Sequence, residues 1–365
     1  MRTLTASDIE ALAIGTAILG TGGGGNPYIA KLRALEELKR GRRIKLLGLE
    51  DLDDDALVLS IGGIGAPAVS IEKLEEGSEG VRVLRCLEEF LGLKIDALIS
   101  AEIGGGNGLE PMMTAAALDL PVVDADGMGR AFPEMQMTTF SIYGHRSTPA
   151  AVCDEHGNLV LFRHAVSEVW FEHLARATVV SMGGTATGAE APMRGRYVKR
   201  AGVPGTVSQA IRLGYAVLEA NRAHVSAIPR ICALEHGIHL IDAKIVDLKR
   251  HLRGGFSVGT LLLEGIDVHA GSSARIDFQN EFLTFERAGR IEVCVPDLIV
   301  ILDVDTGHAI TTDVLRYGQR VAVLALPCHP LLRSPEALEV VGPRAFGLEN
   351  LEYRPLPRPT GEPAS

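Results

Sequence analysis

The sequence predicts an α/β N-terminal domain with a mostly parallel sheet, plus a mainly-β C-terminal domain. Three observations predict it. Short apolar strands alternate with helical segments up to about residue 137. From Ile238 to Leu326 the chain turns instead to closely spaced β runs separated by turn residues, as in a barrel or sandwich. Its 365 residues also exceed what one typical core holds.

The elements follow in order. Ser7 with Glu10 reads as a capping box before a helix running from Ile9 to Leu19. Gly20 to Gly25 ends it. Asn26 and Pro27 suit the N-cap and first position of a second helix, which Gly41 stops. Ile44–Leu49 and Ala56–Ile61 read as strands, Val81–Leu91 as a helix, and Ala97–Ser100 as a buried strand. Leu109–Leu118 reads as a helix and Pro121–Asp124 as a strand. Met137–Tyr143, Pro149–Phe162 and Val179–Met182 are expected to be extended, with a turn at Asp154–Asn158. Val207–Ala223 is a helix. The late β runs are Ile238–Leu248, Phe256–Leu263, Ala274–Phe285, Ile291–Val295, Leu298–Leu302 and Arg320–Leu326. The expected division is 1–170 for the α/β domain with its Gly-rich loops and 236–353 for the mainly-β domain. Between them, 171–235 is a connecting strand and helix that can belong to the first domain, and 354–365 is a Pro-rich tail.

A formal charge of −10, without a Lys/Arg cluster, argues against a nucleic-acid partner and against an anionic membrane surface. Asp8 and Glu10 spoil a secretory signal, and no apolar stretch approaches the length of a membrane helix. The five cysteines are scattered and form no Cys-x-x-Cys pair, which fits a reducing cytoplasm. The partner expected is a small molecule, with a homo-oligomer left open.

Gly20-Thr21-Gly22-Gly23-Gly24-Gly25 satisfies G-x-G-x-x-G, but a helix precedes it where a dinucleotide fold needs a strand. The better reading starts from Gly22, Gly23, Gly24, Gly25 and Asn26. Side-chain-free backbone here runs into a helix N-terminus and admits a ligand carbonyl or anion closely. Ile61-Gly62-Gly63-Ile64-Gly65 and Ile103-Gly104-Gly105-Gly106-Asn107-Gly108 both follow strands, and ligands gather at the carboxyl ends of parallel strands. Three such loops suggest one shared pocket rim.

Acids stand at the same strand ends. Glu102 follows one strand; Asp124 and Asp126 sit two apart at the end of another, so both are expected to face one space. Paired carboxyls push each other's pKa apart, as an acid and a base need. The cofactor is left unknown: the same acids suit a divalent metal such as zinc through oxygen ligands. Arg130 and Glu134 follow closely. Cys153-Asp154-Glu155-His156 reads as a hairpin turn, and His236 and His239 point apart if extended. Cys328-His329, between Pro327 and Pro330, is stiff and ends a strand. Serine-hydrolase elbow, zincin and Walker-A motifs are absent. Ser181–Thr185 reads as an ordinary turn or an anion nest.

Several segments in one order resemble a known family. They are Leu19–Pro27, Glu102–Gly105 with Asn107, Pro121–Glu134, Gln279-Asn280-Glu281-Phe282, Pro296-Asp297-Leu298-Ile299 and Gly342–Gly347. Over nearly the whole chain they resemble the S-methyl thiohydantoin desulfurase-like proteins. The resemblance implies an α/β domain followed by a β domain. It also implies hydrolysis of an S-methylated thiohydantoin to a hydantoin and methanethiol. Asp124 or Asp126, with Glu102, would then serve as base and acid. The Gly22–Gly25 and Gly104–Gly106 amides would hold the ring carbonyl, with Asn107 and Arg130 orienting it. The alternatives are hydrolysis of another hydantoin-like cyclic amide, or a non-catalytic small-molecule-binding accessory protein.

Overall fold

The computed structural model describes residues 1–65, 69, 73–253 and 256–356. The Pro-rich tail is described through Leu356; 357–365 lie outside the described residues.

The first sheet contains β1 (Arg2–Thr3), β2 (Lys45–Leu47), β3 (Leu57–Gly65), β4 (Ala97–Ser100), β5 (Pro121–Asp126), β6 (Ala150–Cys153), β7 (Leu159–Phe162) and β8 (Thr185–Ala189). Their order is β1-β2-β5-β4-β3-β8-β6-β7. Two short strands, β9 (Met193–Arg194) and β10 (Val203–Pro204), attach to β3 and β5 and bring the sheet to 10 strands. Its centre, β2-β5-β4-β3, is parallel. These strands are mostly apolar, with Lys45, Ser60, Ser100, Asp124 and Asp126 as exceptions, because helices cover both faces. β8, β6 and β7 continue the sheet antiparallel.

The second sheet comprises β11 (Ile238–Arg253), β12 (Phe256–Gly265), β13 (Ser273–Gln279), β14 (Glu281–Arg287), β15 (Arg290–Cys294), β16 (Leu298–Asp303) and β17 (Arg320–Leu326). It runs β15-β14-β13-β12-β11-β17-β16 and curls into an antiparallel half-barrel. Alternation fills its inner face with Ile241, Ala243, Ile276, Phe278, Phe282 and Phe285.

Beyond its first turn, which carries Ser7, Asp8 and Glu10, helix α1 (Ala6–Leu19) is apolar on every side, which only a doubly covered helix can be. It crosses the Thr206–Arg222 helix so closely that a Cβ on Gly15 would fall 1.8 Å from the Ala210 carbonyl oxygen. One hydrophobic cluster joins Ile18 and Leu19 of α1 to Leu298, Val300 and Leu324 of the second sheet, so the two sheets share a core. The second helix, α2 (Pro27–Lys39), starts as expected: Asn26 is its N-cap, accepting from the Tyr28 N–H at 2.9 Å, and Pro27 is its first residue.

Several expectations need correction. The capping box of α1 is Thr5 with Asp8, two residues earlier than Ser7 with Glu10. Met137–Tyr143 is not a strand. Thr138 caps the short Thr139–Ile142 helix there. Val179–Met182 is the end of the Glu168–Ser181 helix, where packing of Phe171, Ala175 and Val179 outweighs the β preference of the valines. Ala274–Phe285 is two strands, broken at Asn280 with φ 57°. The Asp154–Asn158 turn forms, with Asp154 accepting from the His156 and Asn158 N–H groups.

Candidate active site

The glycine loops come together. Gly24, Gly25 and Asn26, then Gly62, Gly63 and Gly65 at the end of β3, and then Gly106 and Asn107 after β4 all line one cavity of about 380 Å³. The first and third loops interlock backbone to backbone: Gly106 N donates to Gly25 O at 3.0 Å and Asn107 N to Gly24 O at 3.4 Å. Any side chain would part them, since a Cβ on Gly24 would stand 2.2 Å from the Gly104 carbonyl oxygen. Gly104 and Gly105 belong to that seam and do not face the cavity.

Gly22 and Gly23 have another task than the one expected. Gly22 lies under the Phe282 ring, and its carbonyl accepts from the Thr312 N–H at 2.9 Å. Gly23 abuts the Glu281 carboxyl. These two glycines let the second domain press against the first, while Gly24 and Gly25 reach the cavity.

The three expected acids separate. Glu102 lines the cavity and is 6% exposed. Its Oε1 accepts from Asn107 Nδ2 at 2.6 Å and its Oε2 from the Phe132 N–H at 3.1 Å. Asn107 is itself held by Gly63, accepting from its N–H at 2.8 Å and donating to its carbonyl at 3.2 Å. Burial pushes Glu102 up to about 7, against the lowering effect of those two donors.

Asp126 is fully buried but does not line the cavity. It gathers the N–H groups of Ile103 (2.8 Å), Met128 (3.0 Å) and Gly129 (2.8 Å), so it ties the two loops behind Glu102 together. Burial carries it up to about 7 despite these bonds. Asp124 faces away from the cavity: it accepts from the Ser208 N–H at 2.9 Å and from its hydroxyl, capping the Thr206–Arg222 helix. The expectation that Asp124 and Asp126 enter the ligand space together is therefore corrected. Both point to one side of β5, but that side meets the start of this helix.

Arg130 likewise stands behind the wall. Fully buried, it donates to the carbonyls of Ala131, Pro296 and Asp297 and to Thr21 Oγ1, bracing both domains. Glu134 does line the cavity.

Three further buried carboxyls face the cavity: Glu110, Glu190 and Glu281. Burial raises Glu190 to about 7, with Glu168 and Glu172 adding to it and the Ser147 hydroxyl opposing. Glu281 rises well above the usual range through burial and then the Glu102 charge; Glu110 rises through burial, partly offset by Arg33. Glu281 stands in Gln279-Asn280-Glu281-Phe282, a run visible in the sequence but given no role there. Glu190, alone between Ala189 and Ala191, carries no such signal.

The sequence matches two consecutive family models. They are S-Me-THD-like, N-terminal domain, over residues 7–164, and S-Me-THD-like, C-terminal domain, over residues 166–356. The chain belongs to the S-Me-THD-like family. The solved structure of a protein from Chromobacterium violaceum superposes on this S-Me-THD-like chain with a TM-score of 0.80 at 22% identity, covering 97% of this chain and 100% of that one. The two share the fold. No curated protein matches the sequence.

Among the described residues of the S-Me-THD-like chain, no group of three His, Cys, Asp or Glu side chains is placed to hold a metal ion. No described helix is long and apolar enough to cross a membrane. Cys328 bonds Arg333 and Tyr353 in the network around Asp297, away from the cavity. What the cavity offers is carboxyls poised near neutrality beside main-chain amides and an apolar wall. That combination suits proton transfer on a small, flat ligand.

Proposed function

We propose that the protein hydrolyses a small five-membered cyclic amide, with S-methyl thiohydantoin as the substrate, giving a hydantoin and methanethiol. Family membership supports the substrate class. The observation that carries the reading is Glu102, a carboxyl brought to about 7 and oriented by Asn107 in the glycine-walled cavity.

The chemistry requires water to add to the ring carbon bearing the S-methyl group. A C–O bond forms, the C–S bond breaks and sulfur departs with the electron pair. One water proton ends on the thiol and the other on the ring nitrogen, as C=N becomes C=O beside N–H. Glu102 takes a proton from the attacking water and returns it to the departing thiolate; a pKa near neutrality serves both steps. Glu190 supplies a second proton-carrying carboxyl in the same cavity. The first turn of α2, at the cavity wall, favours the negative charge that develops on oxygen.

The test is methanethiol release from S-methyl thiohydantoin. Glu102→Gln is expected to lower kcat by about 100-fold or more with the circular dichroism spectrum unchanged. In the unmutated enzyme kcat/KM is expected to rise through pH of about 7 as Glu102 loses its proton. Undiminished turnover by the variant removes Glu102 from the mechanism. Tight binding of the ring without any turnover points to an accessory protein instead.

A further inference from the structure

Glu281 is the carboxyl that the second domain contributes to the cavity, from the first position of β14. It is 2% exposed. Its Oε1 lies where a Cβ on Gly23 would be, 1.8 Å away, and the Gly24 N–H bonds the carboxyl. Its Oε2 has no hydrogen-bond partner among the described residues. A buried, unbonded carboxyl oxygen weakens a fold unless something else needs it.

The cavity's own cations do not satisfy it. Arg33 pairs with Glu75 and Glu110, Lys73 with Glu155, and Arg176 with Glu172. Arg130 is the positive charge that Glu281 and Glu102 both feel. Yet its Nε, Nη1 and Nη2 donate to Ala131, Pro296, Asp297 and Thr21, and its guanidinium stacks on Phe132 with 4.5 Å to the ring centroid. Arg130 therefore lends charge without filling the carboxyl lone pairs. While the Glu281 and Glu102 pair shares a proton it balances the guanidinium; once that proton passes to a bound ring, two carboxylates and one guanidinium leave a single net negative charge at the wall. The ligand that balances it is a flat monocation with ring N–H donors, because a planar N–C–N cation meets carboxylates with paired, charge-assisted hydrogen bonds.

We infer that this site binds its substrate as a planar cyclic monocation of the amidinium type, an isothiouronium or guanidinium, whose ring N–H groups donate to Glu281 and Glu102. The inference rests on the hydrolase reading for the substrate's identity and deepens it. S-methyl thiohydantoin is a cyclic isothiourea, and its ring-protonated form is such a cation. The neutral ring takes its extra proton from the carboxyl pair, which makes the carbon bearing sulfur more electrophilic. After C–S cleavage the hydroxyl proton of the added water returns to the pair as C=O forms. The pair ends as it began, and the net reaction is ring plus water giving hydantoin plus thiol.

Calorimetric titration separates this from the hydrolase reading. The probes are 2-methylthio-2-imidazoline, a five-membered isothiouronium cation at mildly alkaline pH, and imidazolidin-2-one, its neutral ring counterpart. The unmutated protein is expected to bind the cation about tenfold or more tightly than the neutral ring, the discrimination of one charge-assisted hydrogen bond. Glu281→Gln is expected to erase that preference. Equal affinities in the unmutated protein, or a preference that survives in a folded Glu281→Gln, overturns the inference; if the variant does not fold, the unmutated comparison decides alone. Methanethiol release is measured on the same preparation. Turnover without cation preference overturns the clamp and keeps the hydrolase, whereas preference without turnover keeps the clamp and overturns the hydrolase.

Discussion

Asp124 and Glu102 show how two carboxyls at neighbouring strand ends part company. Strand β5 places Asp124 and Asp126 on one side by its period of two. Which side that is depends on what packs there, and here it is the Thr206–Arg222 helix, some 80 residues further along the chain. Asp124 becomes that helix's cap. Asp124→Ala is therefore expected to lower stability by about 1 kcal/mol, the typical worth of a capping acceptor. Methanethiol release per folded molecule is expected to stay close to that of the unmutated enzyme. A loss of turnover comparable to that of Glu102→Gln would return Asp124 to the chemistry. Glu102 was legible as a strand-end acid. Its partner Asn107 was legible as a residue that orients the ring, but not as the group that holds Glu102, because its anchorage on Gly63 comes from a strand that pairs in space.

At the level of elements, the alternation of strands and helices through Asp126 was readable because the buried strands are mostly apolar and bounded by turn residues. Strand β8, Thr-Ala-Thr-Gly-Ala, was not readable. Thr185 and Thr187 favour a strand but the alanines and Gly188 do not; it is a strand because β3 and β6 flank it. The three glycine loops were legible as a rim. The division of labour inside the first was not, since it is set by Phe282 and Glu281 arriving from a distant hairpin. Two adjacent glycines test the interlock. Gly24 and Gly25 both have positive φ, 70° and 78°, but only Gly24 meets the opposing backbone, whereas a Cβ on Gly25 has nothing within 4 Å. Gly25→Ala is expected to cost about 1 kcal/mol of conformational strain. Gly24→Ala is expected to cost roughly 2–4 kcal/mol in denaturant unfolding, because a backbone seam must open. Equal costs would mean the loops do not lean on each other.

Across the whole molecule, burial of acids ties stability to pH in an unusual direction. Glu102, Asp126 and Glu190 each titrate near 7 in the folded protein, above the values of an unfolded chain. Between those limits the folded state holds protons that the unfolded state has released, so stability falls as pH rises. Asp8, Glu88 and Asp154 are held low and stay charged across that window, so they do not offset it; His145, His308 and His329, which burial keeps neutral, work the other way below pH of about 6.5 and reduce the fall without reversing it. The denaturant midpoint is expected to drop between about pH 5 and pH 7.5 and then level off, a change on the order of a few kcal/mol. A midpoint that is flat or rises over that interval would show these carboxyls to be ionised in the folded state. The cavity's composition also bears on where a change of preferred ring would have to arise. One wall is main chain, with little side chain to trim, and Gly24 and Gly65 in it are locked by the backbone against them. Divergence in ligand choice is thus channelled to the facing side chains, Tyr28, Ile29, Ile64, Leu74 and Met135, where size and polarity can drift while the reacting end keeps its shape.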